Sequence, residues 1–437
     1  MRTRLIILFF LVLATGNLHS NAQTWTTVGN GLTPYSLYDH VSAFGIYQNQ
    51  LYIGGEFDSS GFNALNNVVV WDGNSLSPVA GGTDYYGVRA FAEYNGDLYV
   101  GGGFSVAGGN SCSHVAKWNG TNWSAVGSGV NWFGVTCMAV FKGELYVGGE
   151  FDSAGGMPAG FIARWNGNQW DTVGSGLDNL AYSMVVYHDA LFVGGDFNTA
   201  GGLNAPSIAR WDGNNWSTVA WGMDNWVSGL AIFHDTLFAC GSFNYSGANF
   251  TNGIAKWDST SNAWVDVGGG ANSWAISLAT YNNELYVGGN FDSCGTVYTR
   301  GIARWNGNTW SSVGTGVNKR VSAMLTFNGD LYVGGEFNIA GSLSTNYLAK
   351  WNLPVGIMDL NQNSLNVFPV PAKDKITIDF KNLCYQVEVT DMLGNVLDLI
   401  SEKSFHYTLD VSKLTSGMYF ITGVDANGRI CKKIIKE

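Results

Sequence analysis

Charge is scarce in this sequence. Asp, Glu, Lys and Arg supply 13% of its 437 residues, and 33 acidic side chains outnumber 22 basic ones, for a formal net charge of −11. So acidic a chain lacks the basic surface that captures nucleic acid or anionic membranes, and neither is expected as a partner. No window holds a 3.6-residue hydrophobic period, so helices are not expected. No apolar run is long enough to span a bilayer, so no transmembrane segment is expected. Enzyme motifs are missing too: there is no G-x-S-x-G, no H-E-x-x-H, no phosphate-binding Gly-rich loop and no EF-hand loop. The six cysteines include no C-x-x-C pair, which argues against zinc. These absences lead us to expect no enzyme, no catalytic residue, no metal and no cofactor.

What the chain has instead is glycine, 59 of them, with abundant Asn, Ser, Thr and Trp. That is the composition of many short strands joined by tight turns. At the N-terminus, Arg2 and Arg4 precede the apolar run from Leu5 to Leu13, and small or polar residues continue to Ala22. A charged, then apolar, then small-residue order predicts a signal peptide over residues 1–22. Its removal leaves 20 basic against 33 acidic side chains, a net charge of −13.

One phrase recurs seven times: Leu-Tyr-Val-Gly-Gly, a variable stretch, Ile-Ala-Arg-Trp-Asn-Gly, then Trp-x-x-Val-Gly. Its anchor leucines are Leu51, Leu98, Leu145, Leu191, Leu237, Leu285 and Leu331, spaced 46 to 48 residues apart. Such a period marks repeated units that bury their cores only against neighbours. In the third unit, residues 135–141 read as a strand, Lys142-Gly143 as a hairpin turn, and Leu145 to Gly149 as a second strand. A loop from Phe151 to Gly156 follows, then strands over 161–165 and 170–174. Four antiparallel strands per unit predict a propeller blade. The last unit stops at Trp351-Asn352 without its closing phrase, and that phrase stands at the chain's start as Trp25-Thr26-Thr27-Val28-Gly29. The expected fold is therefore all-β: a seven-bladed β-propeller over residues 23–352, closed by the N-terminal strand. Its apolar strand ending in Gly-Gly, with Trp residues at set distances, resembles the kelch repeat. It departs from kelch in carrying Trp-Asn-Gly where a Tyr-Asp phrase is usual. A kelch-like copper enzyme, galactose oxidase, needs paired His and Tyr ligands, and no such set is evident.

Residues 353–363 read as a linker. Beyond them stand Phe368-Pro369-Val370-Pro371-Ala372, then Asp391 to Gly394, then Leu414 to Tyr419, then the lysine-rich end Lys432 to Lys436. Short alternating runs predict a small Ig-like β-sandwich over 364–437. The four phrases, in this order, resemble the type A C-terminal sorting domain of the Bacteroidetes type IX secretion system. The resemblance implies a partner in that secretion machinery, transit through the periplasm, and a final place in the medium or on the outer-membrane surface. Cys384 and Cys431 fall in an early and the last strand of this exported tail, and a bridge between them is expected. Cys240 and Cys294 replace small residues of the repeat irregularly, so no framework of bridges is expected there.

Function is expected at the loops that enter each blade. Tyr38, Tyr86, Trp132, Trp226 and Trp274 precede first strands and are not part of the repeated Trp framework. Mixed with Asn and Asp, such rings suit carbohydrate: rings stack on sugar C–H faces while amides and carboxylates bond hydroxyls. A non-catalytic glycan- or protein-binding role is expected, the alternative being a glycan-active lyase or hydrolase. A bland reading also stands, in which the rings cap blade junctions and bind nothing. His188 and His234 occupy turns. Glu56, Glu150, Asp196 and Glu336 follow Gly-Gly pairs, and strand-end solvation accounts for them better than a cation ring, which needs several converging oxygens.

Overall fold

Buried and outward residues alternate along the first strand of a unit, as in His40–Tyr47, which is the pattern of a half-buried strand. The second strand, as in Glu144–Glu150, is buried at nearly every position, because sheets cover it on both faces. The computed structural model describes residues 24–32, 40–60, 63–64, 66–84, 86–352, 365–391, 396–400, 402–425 and 428–437. The expected signal peptide, the linker and Tyr38 lie outside them. The chain divides into two compact units, with the boundary at Leu353 and Pro354.

Among the described residues, the first unit holds seven four-stranded antiparallel sheets. Sheet I comprises His40–Tyr47, Gln50–Glu56, Val68–Trp71 and Leu76–Pro78; sheet II, Val88–Tyr94, Asp97–Gly102, Val115–Trp118 and Trp123–Ala125. Sheet III comprises Gly134–Phe141, Glu144–Glu150, Ile162–Trp165 and Trp170–Thr172; sheet IV, Ala181–Tyr187, Ala190–Gly195, Ile208–Trp211 and Trp216–Thr218. Sheet V comprises Val227–Phe233, Thr236–Gly241, Ile254–Asp258 and Ala263–Asp266; sheet VI, Ala275–Tyr281, Glu284–Gly289, Ile302–Trp305 and Trp310–Ser312. Sheet VII takes Val321–Phe327, Asp330–Gly335 and Leu348–Asn352 from the end of the unit and Thr24–Thr27 from its start. Trp25 lies opposite Trp351 in that pairing.

The sequence-predicted loop after each second strand contains more structure than expected. In sheet III, Ser153–Ala154 pairs with Met157–Pro158, and all seven sheets carry such a two-stranded hairpin. Gly155 and Gly156 make its turn, with φ of +62° and +81°. Strands of two residues are too short to leave an alternating pattern in a sequence.

Glycine sets the distance between sheets. A Cβ added at Gly148 would come within 2.6 Å of Met184 and 2.8 Å of Ala181, both in the first strand of sheet IV. Gly54 meets Val88, Gly194 meets Val227 and Gly288 meets Val321 in the same way. Gly334 of sheet VII meets Val41 of sheet I, at 2.3 Å. In sheet V the position is Cys240, and the facing residue of the next sheet is the small Ala275, as it is Ala181 opposite Gly148. Tryptophan fills the outer gaps. The third- and fourth-strand rings pair at 5.0 Å in Trp305 with Trp310 and at 5.3 Å in Trp165 with Trp170. The fourth-strand indole N–H donates to the preceding sheet's Val carbonyl, as from Trp170 to Val126 at 3.0 Å and from Trp216 to Val173 at 2.9 Å. Trp25 makes the equivalent bond to Val313 at 3.3 Å. Third-strand Trp118 donates to Tyr52 of sheet I, and Trp71 of sheet I donates to Tyr332 of sheet VII.

Among its described residues the second unit has six strands: Leu365–Phe368, Lys375–Thr390, Val396–Ile400, Ser404–Asp410, Gly417–Asp425 and Gly428–Lys436. The 16-residue strand Lys375–Thr390 organises it. Its first half pairs with Leu365–Phe368 and Ser404–Asp410, and its second half with Val396–Ile400 and Gly417–Asp425. Ile376, Ile378, Val387, Tyr407, Ile421 and Ile434 share its core.

The expected Cys384–Cys431 bridge is not formed. Cys384 is a buried free thiol whose Sγ donates to the Gln386 carbonyl at 3.0 Å. Backbone register explains why: Cys384 faces Asp425 on Gly417–Asp425, whereas Cys431 lies one strand further away, opposite Thr422. Disulfide geometry requires Cα atoms within about 7 Å, which a strand removed and displaced along the ladder does not provide. Cys112, Cys137, Cys240 and Cys294 are also buried and free. Burial raises the thiol pKa to about 11 at Cys112 and about 12 at Cys137.

Two outcomes follow. Trp25→Ala removes a buried ring that bonds another sheet, and should lower unfolding free energy by roughly 3–5 kcal/mol, the range for burying no aromatic there. An unchanged urea midpoint would contradict the pairing. Alkylation at pH 8 should leave Cys112, Cys137, Cys240, Cys294 and Cys384 unmodified in the native protein and label all of them in urea, because the fold buries all five thiols away from the reagent. Peptide mapping reads the result, and rapid native labelling of any of these five would contradict it.

Candidate functional site

The segment leaving each sheet's fourth strand is tied to the short hairpin of the next sheet. Single β-bridges join Val130 to Ala154, Leu177 to Ala200 and Val317 to Ala340. Asn and Asp side chains reinforce the tie. Asp178 Oδ1 accepts the amides of Asn198 and Thr199 at 2.8 and 2.9 Å. Asp224 does the same for Asn244 and Tyr245, Asn272 for Asp292 and Ser293, and Asn318 for Asn338 and Ile339. Buried or turning backbone N–H groups need partners, and these side chains supply them. Asp178, Asp224, Asn272 and Asn318, read from the sequence as possible hydroxyl binders, thus have an architectural task for one oxygen each.

The predicted aromatics do not all converge. Trp226 and Trp274 hold equivalent positions before sheets V and VI, and their rings meet edge to face at 5.8 Å and 74°. Trp226 is half-buried, while Trp274 is 48% exposed. Trp132, before sheet III, is exposed and stands edge-on to Phe161 at 6.3 Å. Tyr86, before sheet II, is 68% exposed. Tyr86 and Trp132 adopt φ of +67° and +57°, a backbone region where bulky side chains are strained. Gly103 stands where sister repeats carry Glu56, Glu150, Asp196 or Glu336, and a Cβ there would lie 2.5 Å from the Tyr86 Cβ.

A cleft of about 320 Å³ opens between sheets V and VI. Its polar lining is Asn225, Ser242, Asn244, Asn252, Asn272 and Ser273, and Trp274 forms a wall. Asn225 accepts the Trp226 amide at 2.9 Å, and Asn252 donates to the Gly269 carbonyl at 2.7 Å. Among the described residues, the Ser242 and Ser273 hydroxyls and the Asn244 side-chain amide have no protein partner. No ionisable side chain lines the cleft. It can stack a ring and exchange neutral hydrogen bonds, and it holds no general acid or base.

Sequence reasoning missed Trp221. Five sister repeats read Val-Gly-x-Gly after the fourth strand and sheet I reads Val79-Ala80-Gly81-Gly82, but sheet IV reads Val219-Ala220-Trp221-Gly222. Ala220 takes a φ of +50° where Gly127 and Gly174 have +56° and +57°. Trp221 is 78% exposed, and its ring lies over Gly247 in the hairpin that carries Tyr245 and Phe250. Those two exposed rings meet at 5.3 Å. The legible signal was the broken phrase: a Trp replacing Ser or Gly cannot serve the repeat. Trp264 of sheet V is fully buried, and among the described residues its indole N–H has no partner, unlike those of the other fourth-strand tryptophans.

The remaining candidates are placed as follows. His188 and His234 sit in turns and reach Asp235 and Asn283 of the next sheet at 3.1 and 2.9 Å. Glu336 pairs with Arg320 at 2.7 Å. Burial, then the Asp178 charge, raises the Asp196 pKa, and burial, then Asp196 and Glu150, raises that of Tyr182. Among the described residues no group of three or more His, Cys, Asp or Glu side chains could hold a metal ion, and no helix is long and apolar enough to cross a membrane.

No curated protein matches the chain. Its fold is similar to several solved structures at low identity. One is PorZ, described as an essential bacterial surface component of the type IX secretion system of Porphyromonas gingivalis: 12% identical, TM-score 0.48, covering 92% of this chain and 60% of that one. The chain thus spans about 60% of the length of that protein. A chain of a mitotic checkpoint complex is 15% identical with a TM-score of 0.49, covering 80% of this chain and 99% of that one. The designed protein Ika8 is 12% identical with a TM-score of 0.46, covering 93% and 100%. Residues 366–437 match the secretion system C-terminal sorting domain. The tail is therefore a type IX sorting domain, and the protein is exported through that system to the cell surface or the medium.

Proposed function

We propose that the first unit is a kelch-like seven-bladed β-propeller, closed by Thr24–Thr27, that acts as a non-catalytic binding module for a glycan. The propeller reading is supported by neighbour order: Gly334 against Val41 and Trp71 on Tyr332 repeat, between sheets VII and I, the contacts that join the other pairs. The tail is read as a small Ig-like β-sandwich, since its long strand serves two sets of partners.

The binding reading rests on Trp274. A half-exposed indole, braced edge-on by Trp226, walls a cleft whose other groups are neutral amides and hydroxyls. Stacking supplies most of the energy in such a site, and the polar groups set orientation. A lyase or hydrolase would need an acid and a base at the reacting bond, and the cleft lining offers neither. Exposed Trp221, Tyr245 and Phe250 form a second aromatic cluster at the short hairpin of sheet V.

Trp274→Ala should weaken glycan binding by roughly 1–3 kcal/mol in titration calorimetry while leaving the melting temperature in place. Should the change lower the melting temperature and leave every bound glycan unaffected, the ring is architecture. A surface protein captured through the same residues would shift the reading to a protein ligand. For the tail, a chain ending at Asn352 should fold, with the melting transition of the first unit intact, yet accumulate in the periplasm of its host. Arrival of that truncated chain in the medium would contradict the sorting role.

A further inference from the structure

The cleft beside Trp274 has a counterpart one sheet further on. A pocket of about 170 Å³ lies between sheets VI and VII, lined at the same repeat positions. The shape recurs but the chemistry changes. Asn252 of the first cleft corresponds to Arg300 in the second, Ser273 to Lys319, and Asn244 to Asp292. Arg300 and Asn252 share the same left-handed backbone, with φ of +50° and +44°. The two pockets also share a wall, because the Asn290 amide of the second donates to the Trp274 carbonyl of the first at 2.8 Å.

The other cations of sheets VI and VII are already spent on partners: Arg304, Arg320 and Lys350 all sit in ion pairs with carboxylates. Arg300 and Lys319 form none among the described residues. With Asp292 as the one carboxylate of the lining, the pocket keeps a surplus of positive charge in a chain whose formal charge is −11. A guanidinium and an ammonium facing one small polar pocket suit a carboxylate or a sulfate, which they bind by charge-assisted hydrogen bonds.

The geometry points to an anionic glycan as the ligand: the pocket between sheets VI and VII holds the carboxylate or sulfate of one sugar, and an uncharged neighbour stacks on Trp274. This rests on the glycan reading of the first cleft, and the two can fail separately. The test uses the full chain, immobilised, against four probes: polygalacturonate, dextran sulfate (which carries sulfate but no carboxylate), an uncharged glucan and poly-glutamate. The comparison variant is Arg300→Asn with Lys319→Ser. These are the residues that the repeat already uses at those positions between sheets V and VI, so the fold should tolerate them. One of the two acidic polysaccharides should bind roughly tenfold more tightly than the glucan, with carboxylate and sulfate sources told apart by which one. That advantage should vanish in the double variant, which should keep glucan binding, and Trp274→Ala should weaken both.

Equal binding of charged and uncharged polymers, or a double variant that behaves as the parent, overturns the inference and leaves the Trp274 cleft standing. Acidic binding that needs Arg300 and Lys319 but ignores Trp274→Ala keeps the charged pocket and removes the stacking site. Poly-glutamate binding as tightly as the acidic polysaccharide replaces the glycan with an acidic protein. Binding of none of the four overturns both readings.

Discussion

Seven sheets can stand side by side here because one side chain is missing from each second strand. The first glycine of each Gly-Gly pair lets Val or Met from the next sheet approach to a distance that no Cβ would permit. Burial of those apolar side chains between sheets is the main favourable term, and every other feature of the unit depends on it. A methyl group at Gly148 would strike Met184 and Ala181 together. The exception shows how tight the fit is: Cys240 is accommodated where the facing residue is Ala275 and the neighbouring strand carries Gly229, whose added Cβ would lie 2.9 Å from the Cys240 Sγ.

Tryptophan adds direction to that packing. The outer pairs of indoles bury a large area, and the N–H bonds that most of them make run to the preceding sheet, so the contact between neighbours has one orientation and one register. The Trp25 indole makes this bond from the start of the chain to Val313 near the end of the unit. Stability at that junction therefore depends on a strand contributed across more than three hundred residues of sequence, a non-local pairing that must overcome the entropy of closing that loop.

The proposed binding surface lies where the repeat departs from itself. Positions that every sheet needs are occupied by glycine, valine and the paired indoles. The connecting segments are held in place by Asn and Asp side chains on backbone amides, which leaves a few neighbouring positions free to vary. Trp274 becomes Arg320 one sheet on, Ser273 becomes Lys319, and Asn252 becomes Arg300. The scaffold thus presents similar pockets with different chemistry, and rigid support lets a few side chains decide what binds.

The sequence by itself determined the all-β class, the seven units, the four strands of each and the export address, because a fixed period and ordered phrases are local properties that survive without a structure. It also marked Trp226 and Trp274 as lying outside the repeated framework. Only the tertiary structure decided that these two rings meet while Tyr86 and Trp132 stand apart, since adjacency depends on how one sheet is rotated against the next. The short hairpins were invisible in the sequence because two-residue strands have no periodicity. The cysteine pairing failed for a related reason: Cys384 and Cys431 are in strands of one unit, but register, set by the pairing of Gly417–Asp425 with both flanking strands, places them out of reach. Asp178 and Asn272 gave the same ambiguity, since a side chain that bonds a sugar and one that bonds a backbone amide look alike until the amide is seen.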